Sequence, residues 1–333
     1  MSLHVHGFGH FHPENEITNS FLEGLDIGTN DEWIVERVGI RSRRTVLPLD
    51  YIRETKNRDP LEAIEAAETS NYDMGVRAAR LAIDRAGIDA SQIGMVLSGS
   101  SAPDVVCPAE AGFVAKGLGI EAPVMDVNSA CTSFMAQLFF IAGMRPEVLP
   151  DYVLVVASES LTKVTDFSDR AAAVLFGDAS AAAVVSPRIP GRARLLGAEI
   201  DSNPGAAEKV LIPRTGYFGQ DGRAVQMFAI KKTRDGYEKL REGYGEEDRN
   251  LHLVGHQANL RVLEQVCQRC QIPPELHHAN VELHGNTGSA SCPSVVSMDW
   301  EKFGPRDDAA MVAVGGGLTW SRALLRFGGE DDS

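Results

Sequence analysis

Eight short apolar runs, at residues 93–97, 124–127, 152–157, 181–185, 251–254, 281–283, 310–314 and 323–327, punctuate this chain. Longer helix-patterned segments at 109–117, 132–144 and 260–270 interleave with them. The runs are too short for helices, and the interior ones are apolar throughout. A strand apolar on both faces must be covered on both faces. Strands interleaved with helices therefore predict an α/β layered fold. At 333 residues the chain is long for one domain, since domains cluster at roughly 100–150 residues. Two fused halves, or one large domain, are expected. Pro187, Pro190, Gly191 and Arg192 mark the best boundary, which gives halves of 1–187 and 188–333. No internal repeat is legible in the residues.

Charge narrows the partners. The formal net charge is −14, with a pI near 5.1. That argues against nucleic acid, whose phosphates favour a basic stripe, and against an anionic membrane surface. An acidic carrier protein stays open, because a local basic patch can dock one. No run approaches the ~20 apolar residues of a membrane span. The start, Met1-Ser2-Leu3-His4, lacks the basic and apolar regions of a signal peptide. Five cysteines, an odd number in a long chain, do not read as a disulfide framework. The expected compartment is the cytoplasm. Residues 46–72 read as a surface excursion: a solvated insertion on loop behaviour, with a lid or oligomer contact as the functional reading.

The segment 124–134 carries the candidate nucleophile. A buried strand ends at Asn128, small residues turn the chain, and a helix starts with Cys131 at its N-terminus. Free N–H groups and the helix dipole there favour a thiolate, so a lowered thiol pKa is expected. The structural alternative is a buried packing cysteine. Cys267 and Cys270 form C-x-x-C inside an apolar-periodic helix with no second pair for zinc. Cys107 and Cys292, beside Pro108 and Pro293, read as packing residues.

Two later segments supply possible partners for Cys131. A strand delivers His256 just before a helix, and a second strand delivers Asn286 into the Gly/Ser-rich turn 285–291. Catalytic groups in α/β sheets gather at the carboxyl ends of strands. The N-terminal His4, His6, His10 and His12 alternate along a strand and read as bystanders, and His284 as a local structural group. Gly315, Gly316 and Gly317 follow another strand. Three glycines in a row are tolerable where backbone must approach a ligand closely. One N–H from this turn and one from Cys131 could form an oxyanion hole. No nucleotide-binding glycine motif is present.

The ordered set resembles β-ketoacyl-acyl-carrier-protein synthase III and its relatives in the thiolase superfamily. Glu32-Trp33-Ile34-Val35-Glu36-Arg37-Val38-Gly39-Ile40-Arg41 is similar to that family's early EWI…RTGI segment. Phe176-Gly177-Asp178-Ala179-Ser180-Ala181 resembles its FGDGA turn. His256 to Arg261, Gly285-Asn286-Thr287 and the triple glycine follow in the family's order. The resemblance covers nearly the whole chain and implies a five-layered α-β-α-β-α fold of two similar halves, as a homodimer.

The resemblance also implies a ping-pong acyltransferase with no cofactor beyond its thioester substrates and no metal. Cys131 would take an acyl group from acyl-CoA or acyl-carrier protein, and a malonyl-type or β-ketoacyl thioester would then condense with it. His256 and Asn286 would donate hydrogen bonds to the enolate oxygen. The N–H groups of Cys131 and Gly316 would hold the oxyanion. Trp33 and Arg37 would stack and pair with CoA, and Arg261 would help dock the carrier.

The sequence departs from the family at Val38, where Thr is common, and at Met227, where a carrier-docking Lys falls, although Lys231 and Lys232 are near. Cys107 stands where Phe often precedes the Pro of the acyl-gating turn, which implies a roomier acyl pocket supplied across the dimer. The longer 46–72 stretch, with Asp169-Arg170, resembles ketosynthases that build dialkylresorcinols and cyclohexanediones. A relative that transfers acyl groups to oxygen or nitrogen would carry the same trio.

Overall fold

The computed structural model describes residues 3–328. The outermost residues of the two halves, 1–2 and 329–333, lie outside that range, as does the start of the segment read for a signal peptide. Nine strands are hydrogen-bonded in one series. Their order is Asn250–Gly255, Asp307–Gly315, Thr319–Phe327, Ala193–Ser202, Leu3–Phe11, Ala179–Ser186, Tyr152–Glu159, Ile93–Gly99 and Val124–Asp126. The series is continuous only through a short contact in the middle. There, residues 3–5 pair antiparallel with residues 193–195. On either side of that contact lie two half-sheets, one from each half of the chain.

Side-chain alternation shows how the half-sheets stack. Successive residues of a strand point to opposite faces. Val153, Val155 and Ala157 join one core cluster, whereas Leu154 and Val156 join another. In the second half-sheet Ala309, Met311 and Ala313 join the first of these clusters, and Ala310 and Val312 face a third. The shared cluster is therefore a middle layer between the two half-sheets. It contains Phe134, Met135, Leu138 and Ile141 of helix Ser133–Gly143, and Val295 and Val296 of helix Ser291–Met298. Both helices pack against strands of both half-sheets. Helices Asn71–Ala86 and Glu110–Leu118 cover the outer face of one half-sheet. Helices Gly222–Tyr244 and Leu260–Cys270 cover the outer face of the other. Five layers result, in the order helix, sheet, helix, sheet, helix.

Local chemistry accounts for each kind of helix. The middle helix Ser133–Gly143 is apolar almost all round and is buried on most sides, as a helix between two sheets must be. The outer helix Asn71–Ala86 is amphipathic. Ser70 caps it by accepting from Asp73 N, and Gly87 ends it in the left-handed region, a frequent helix stop. Truncating a middle-layer side chain such as Phe134 would cost about 3–5 kcal/mol.

Three expectations need correction, the first being the run at 124–127, read as a buried strand ending at Asn128, which is the exposed edge strand Val124–Asp126. Residues 281–283 are not a strand. Val281–His284 is a four-residue helix, because Gln257 Oε1 accepts from Asn280 N and Val281 N and so caps its start. The 46–72 stretch is not a solvated excursion either. It forms helices Leu49–Thr55 and Pro60–Ala66 and buries Val46, Leu47, Ile52 and Ala63. Buried Asn57 pins it by donating to the carbonyls of Lys163 and Thr165, both at 2.9 Å. The 187–192 segment links strand Ala179–Ser186 to strand Ala193–Ser202. Among the described residues no helix is long and apolar enough to cross a membrane.

Candidate active site

The chain leaves strand Val124–Asp126 and reaches the middle helix through a turn locked by its own side chains. Asn128 Oδ1 accepts from Ala130 N at 2.9 Å. Ser133 Oγ accepts from Ser129 N at 2.8 Å and donates to Ala130 O at 2.7 Å. Ala130 is held at φ 48°, a left-handed conformation that costs a residue with a Cβ. Cys131 follows it, one residue before the N-cap Thr132. The cost is tolerated where it aims a side chain.

The glycine turn fits against this nucleophile. A Cβ on Gly315 would lie 2.9 Å from Cys131 N and 3.1 Å from Cys131 Cβ. Strand Asp307–Gly315 can therefore reach Cys131 only with glycine at that position. Gly316 and Cys131 line one cavity of about 180 Å³, together with Ser101, Leu161, Phe176 and Ile212. Phe176 and Phe218 meet edge to face there, 4.5 Å between centroids.

His256 follows strand Asn250–Gly255, and its N–H donates to Val312 O at 2.8 Å, on the strand that ends at Gly315. Its Nδ1 is 2.7 Å from Ser291 Oγ, which leaves Nε2 as the free end of the ring. Burial lowers the His256 pKa to about 4, so the imidazole is neutral at pH 7. Asn286 is tied to the first half of the chain. It donates its N–H to Leu175 O at 2.8 Å and accepts from Gly177 N at 3.1 Å. Its Oδ1 accepts from Gly288 N at 2.9 Å, which makes Nδ2 the end available to donate.

One group near the nucleophile escaped the sequence reading. Glu159 is fully buried and its charge acts on Cys131. It accepts from Ser101 N at 2.9 Å, Ser101 Oγ at 3.1 Å, Ser289 N at 3.1 Å and Ser289 Oγ at 2.6 Å. Gly288, at φ 56°, has room for no Cβ, because Glu159 would lie 2.9 Å from it. Burial raises the Glu159 pKa above its ordinary value. The expected lowering of the thiol pKa is reversed. Burial, with Glu159 adding to it, pushes Cys131 up to about 12. Desolvation outweighs the helix end, and Cys131 rests as a thiol.

The remaining sites fall into three places. Trp33 is flanked by two guanidinium groups, Arg37 at 4.7 Å and Arg170 at 4.9 Å from the ring centroid. It lines a surface groove with Glu23, Asp26, Gly28, Thr29 and Asn30, separate from the Cys131 cavity. Arg170 was read only as a branch marker, and the fold brings it to this ring. Arg261 is already engaged: it donates to Val35 O at 2.7 Å and pairs with Glu264 at 2.9 Å. Its Nε, Nη1 and Nη2 are all engaged, with Val35, Glu36 and Glu264. Cys107 is exposed, which corrects its reading as a packing residue within this chain.

Cys292 is buried beneath the site and its thiol reaches Val254 O and Val312 O. Cys267 and Cys270 lie on helix Leu260–Cys270. His6 and His10 bond to Ile189 O and Ser297 Oγ, and His12 stacks on His284 at 3.8 Å. Among the described residues no group of three or more His, Cys, Asp or Glu is placed to hold a metal ion.

This geometry has known counterparts. Residues 125–204 match the family model described as 3-oxoacyl-[acyl-carrier-protein] synthase III, and residues 242–327 match the C-terminal model of the same family. The β-ketoacyl-[acyl-carrier-protein] synthase III of Oceanobacillus iheyensis is 34% identical over 332 residues, covering 98% of this chain and all of the relative. The crystal structure of 3-oxoacyl-[acyl-carrier-protein] synthase III from Aquifex aeolicus superposes with a TM-score of 0.86 at 27% identity, over 98% of this chain and 100% of that one. The priming β-ketosynthase of the R1128 polyketide pathway superposes with a TM-score of 0.83 at 28% identity, over 98% of this chain and 96% of that one. Fold, layer order and sequence agree: the chain belongs to the 3-oxoacyl-[acyl-carrier-protein] synthase III family of condensing acyltransferases, on the thiolase fold.

Proposed function

We propose that this chain takes an acyl group onto Cys131 from a CoA or carrier-protein thioester and condenses it with a malonyl-type thioester. The observation that carries this reading is the close fit of Gly315 against Cys131, with Gly316 and Cys131 lining one cavity. That fit suits two backbone N–H groups to an oxyanion at the acyl carbon. In the first half-reaction the Cys131 sulfur bonds to the acyl carbon and the donor thiolate leaves. The thiol proton ends on that leaving group. In the second, the malonyl group loses CO2 and becomes an enolate, which attacks the acyl carbon. The Cys131 thiolate departs and regains a proton from solvent.

The neutral groups serve the enolate. With the Ser291 hydroxyl donating to His256 Nδ1, Nε2 carries the ring proton and donates it in a hydrogen bond. Asn286 Nδ2 supplies the second donor. A neutral imidazole suits this role because it stabilises developing charge without protonating the carbanion. Trp33, with Arg37 and Arg170 on it, supports a CoA nucleotide at the groove; Arg261 would dock a carrier only by exchanging Val35, Glu36 or Glu264 for it.

A homodimer fits the same reading. The outermost strand, Val124–Asp126, leaves Val124 and Met125 exposed, with Phe139, Phe140 and Val106 also exposed. An open strand edge with apolar side chains invites pairing with a second copy. Cys107 would then reach the partner's acyl cavity. The test is release of labelled CO2 from malonyl thioester by protein first loaded with an acyl group. CO2 with a 3-oxoacyl product supports condensation. An acyl ester or amide formed without CO2 assigns the same trio to transfer onto oxygen or nitrogen.

A further inference from the structure

A second cavity, of about 250 Å³, adjoins the Cys131 cavity and shares Ser101 and Ile212 with it. Its other walls include Leu61, Ile64, Ala102, Val106 and Val164. Leu61 and Ile64 come from helix Pro60–Ala66, in the 46–72 stretch, and they are 52% and 41% exposed. Apolar side chains placed this way on an anchored helix need a cover. On the opposite wall Lys163 contributes its stem while its ammonium is buried against Asp104, so the cationic end does not point into free space. Only Arg214, near the rim, adds a further cation.

We propose that this cavity holds the distal part of a long acyl chain whose thioester end is on Cys131. The inference rests on the acyl-enzyme reading above and names its substrate class: a medium- to long-chain fatty acyl group, not an acetyl starter. Continuity identifies the occupant. A chain leaving Cys131 between Ser101 and Ile212, the walls the two cavities share, would enter the second cavity. Size agrees with this. The second cavity, about 250 Å³ against about 180 Å³, offers more room than the first. A short acyl group ends inside the first cavity; a longer one requires the second. Each buried methylene is worth about fourfold in binding.

The test uses the full-length protein with butanoyl-CoA and hexadecanoyl-CoA, and follows the Cys131 adduct by intact mass. Ile64→Trp narrows the second cavity from a half-exposed wall position. The ratio of hexadecanoyl to butanoyl acylation rates falls at least tenfold in this variant relative to wild type, the loss of about two methylene contacts. In a second measurement, wild type is acylated with a hexadecanoyl group carrying a terminal diazirine and irradiated. The crosslink falls on residues 60–66 or 163–164. An unchanged rate ratio, or a crosslink confined to residues 124–144 or to a partner subunit, overturns the proposal and leaves the acyl-enzyme reading intact. Failure to form any Cys131 adduct with either donor overturns both.

Discussion

The two halves of the molecule reach the site by the same route but secure it differently. Each sends its chain through a turn into a middle-layer helix, Ser133–Gly143 in one half and Ser291–Met298 in the other. The turn before the first helix carries Cys131 and is held by neighbours within five residues, Asn128, Ser129 and Ser133. The turn before the second carries Asn286 and is held from far along the chain, by Leu175, Gly177 and Glu159. The nucleophile is thus presented by local backbone geometry, and Asn286 by packing between the halves. Changes inside the first turn should strike acyl transfer directly. Changes at the second should strike the enolate step, or stability, first.

The largest separation is expected at His256 and Asn286. His256→Ala and Asn286→Ala should each lower condensation about 10²–10³-fold, the loss of one donor to a developing negative charge, while acylation falls much less. Assaying the two half-reactions separately checks this; equal losses in both would put these residues outside the enolate step. Gly315→Ala should come next. Its Cβ would press on Cys131 N and move the oxyanion donors, so acylation itself should fall tenfold or more. A single-turnover acylation rate reads this out, and a wild-type rate would show that the turn can shift at no cost.

Stability effects follow. The folded-state pKa of His256, about 4, lies below the ordinary value of 6.5, so folding favours the neutral ring. That contribution is complete above pH 6.5 and is lost as the pH falls from 6.5 towards 4. It is on the order of 3 kcal/mol. Denaturation midpoints should therefore drop across that window, and His256→Gln, which cannot take up the proton, should flatten the drop. A curve of unchanged steepness in the variant would assign the acid loss to other groups. Glu159→Ala should have the smallest effect, about 1–3 kcal/mol from the donors of Ser101 and Ser289 left without an acceptor. Because those donors bridge the halves, the urea midpoint is the direct readout.

The same contrast decides what could be read from the sequence. The Cys131 turn was legible because its determinants are adjacent: an apolar run, small residues and then an apolar helix. His256 was legible because it follows a strand run directly. Asn286 was found beside its glycine, but its supporting element was misread, since the Gln257 cap that turns 281–284 into a helix lies more than twenty residues away. Glu159 ends strand Tyr152–Glu159, the kind of position that singled out the other groups, yet a single carboxylate after an apolar run gave no hint of its serine partners. Arg170 meets Trp33 only in the fold. The thiol pKa was misjudged because helix-end chemistry is visible in sequence and burial from a distant segment is not. The 46–72 stretch misled for a related reason: its polar surface is in the sequence, but its anchor at Asn57 is tertiary.

The most direct test of the central claim is the intact mass of the protein after incubation with butanoyl- and hexadecanoyl-CoA, for wild type and for Cys131→Ala. The account predicts one acyl group added to wild type, mapped to Cys131, and none added to the variant. An adduct that persists in Cys131→Ala would contradict it.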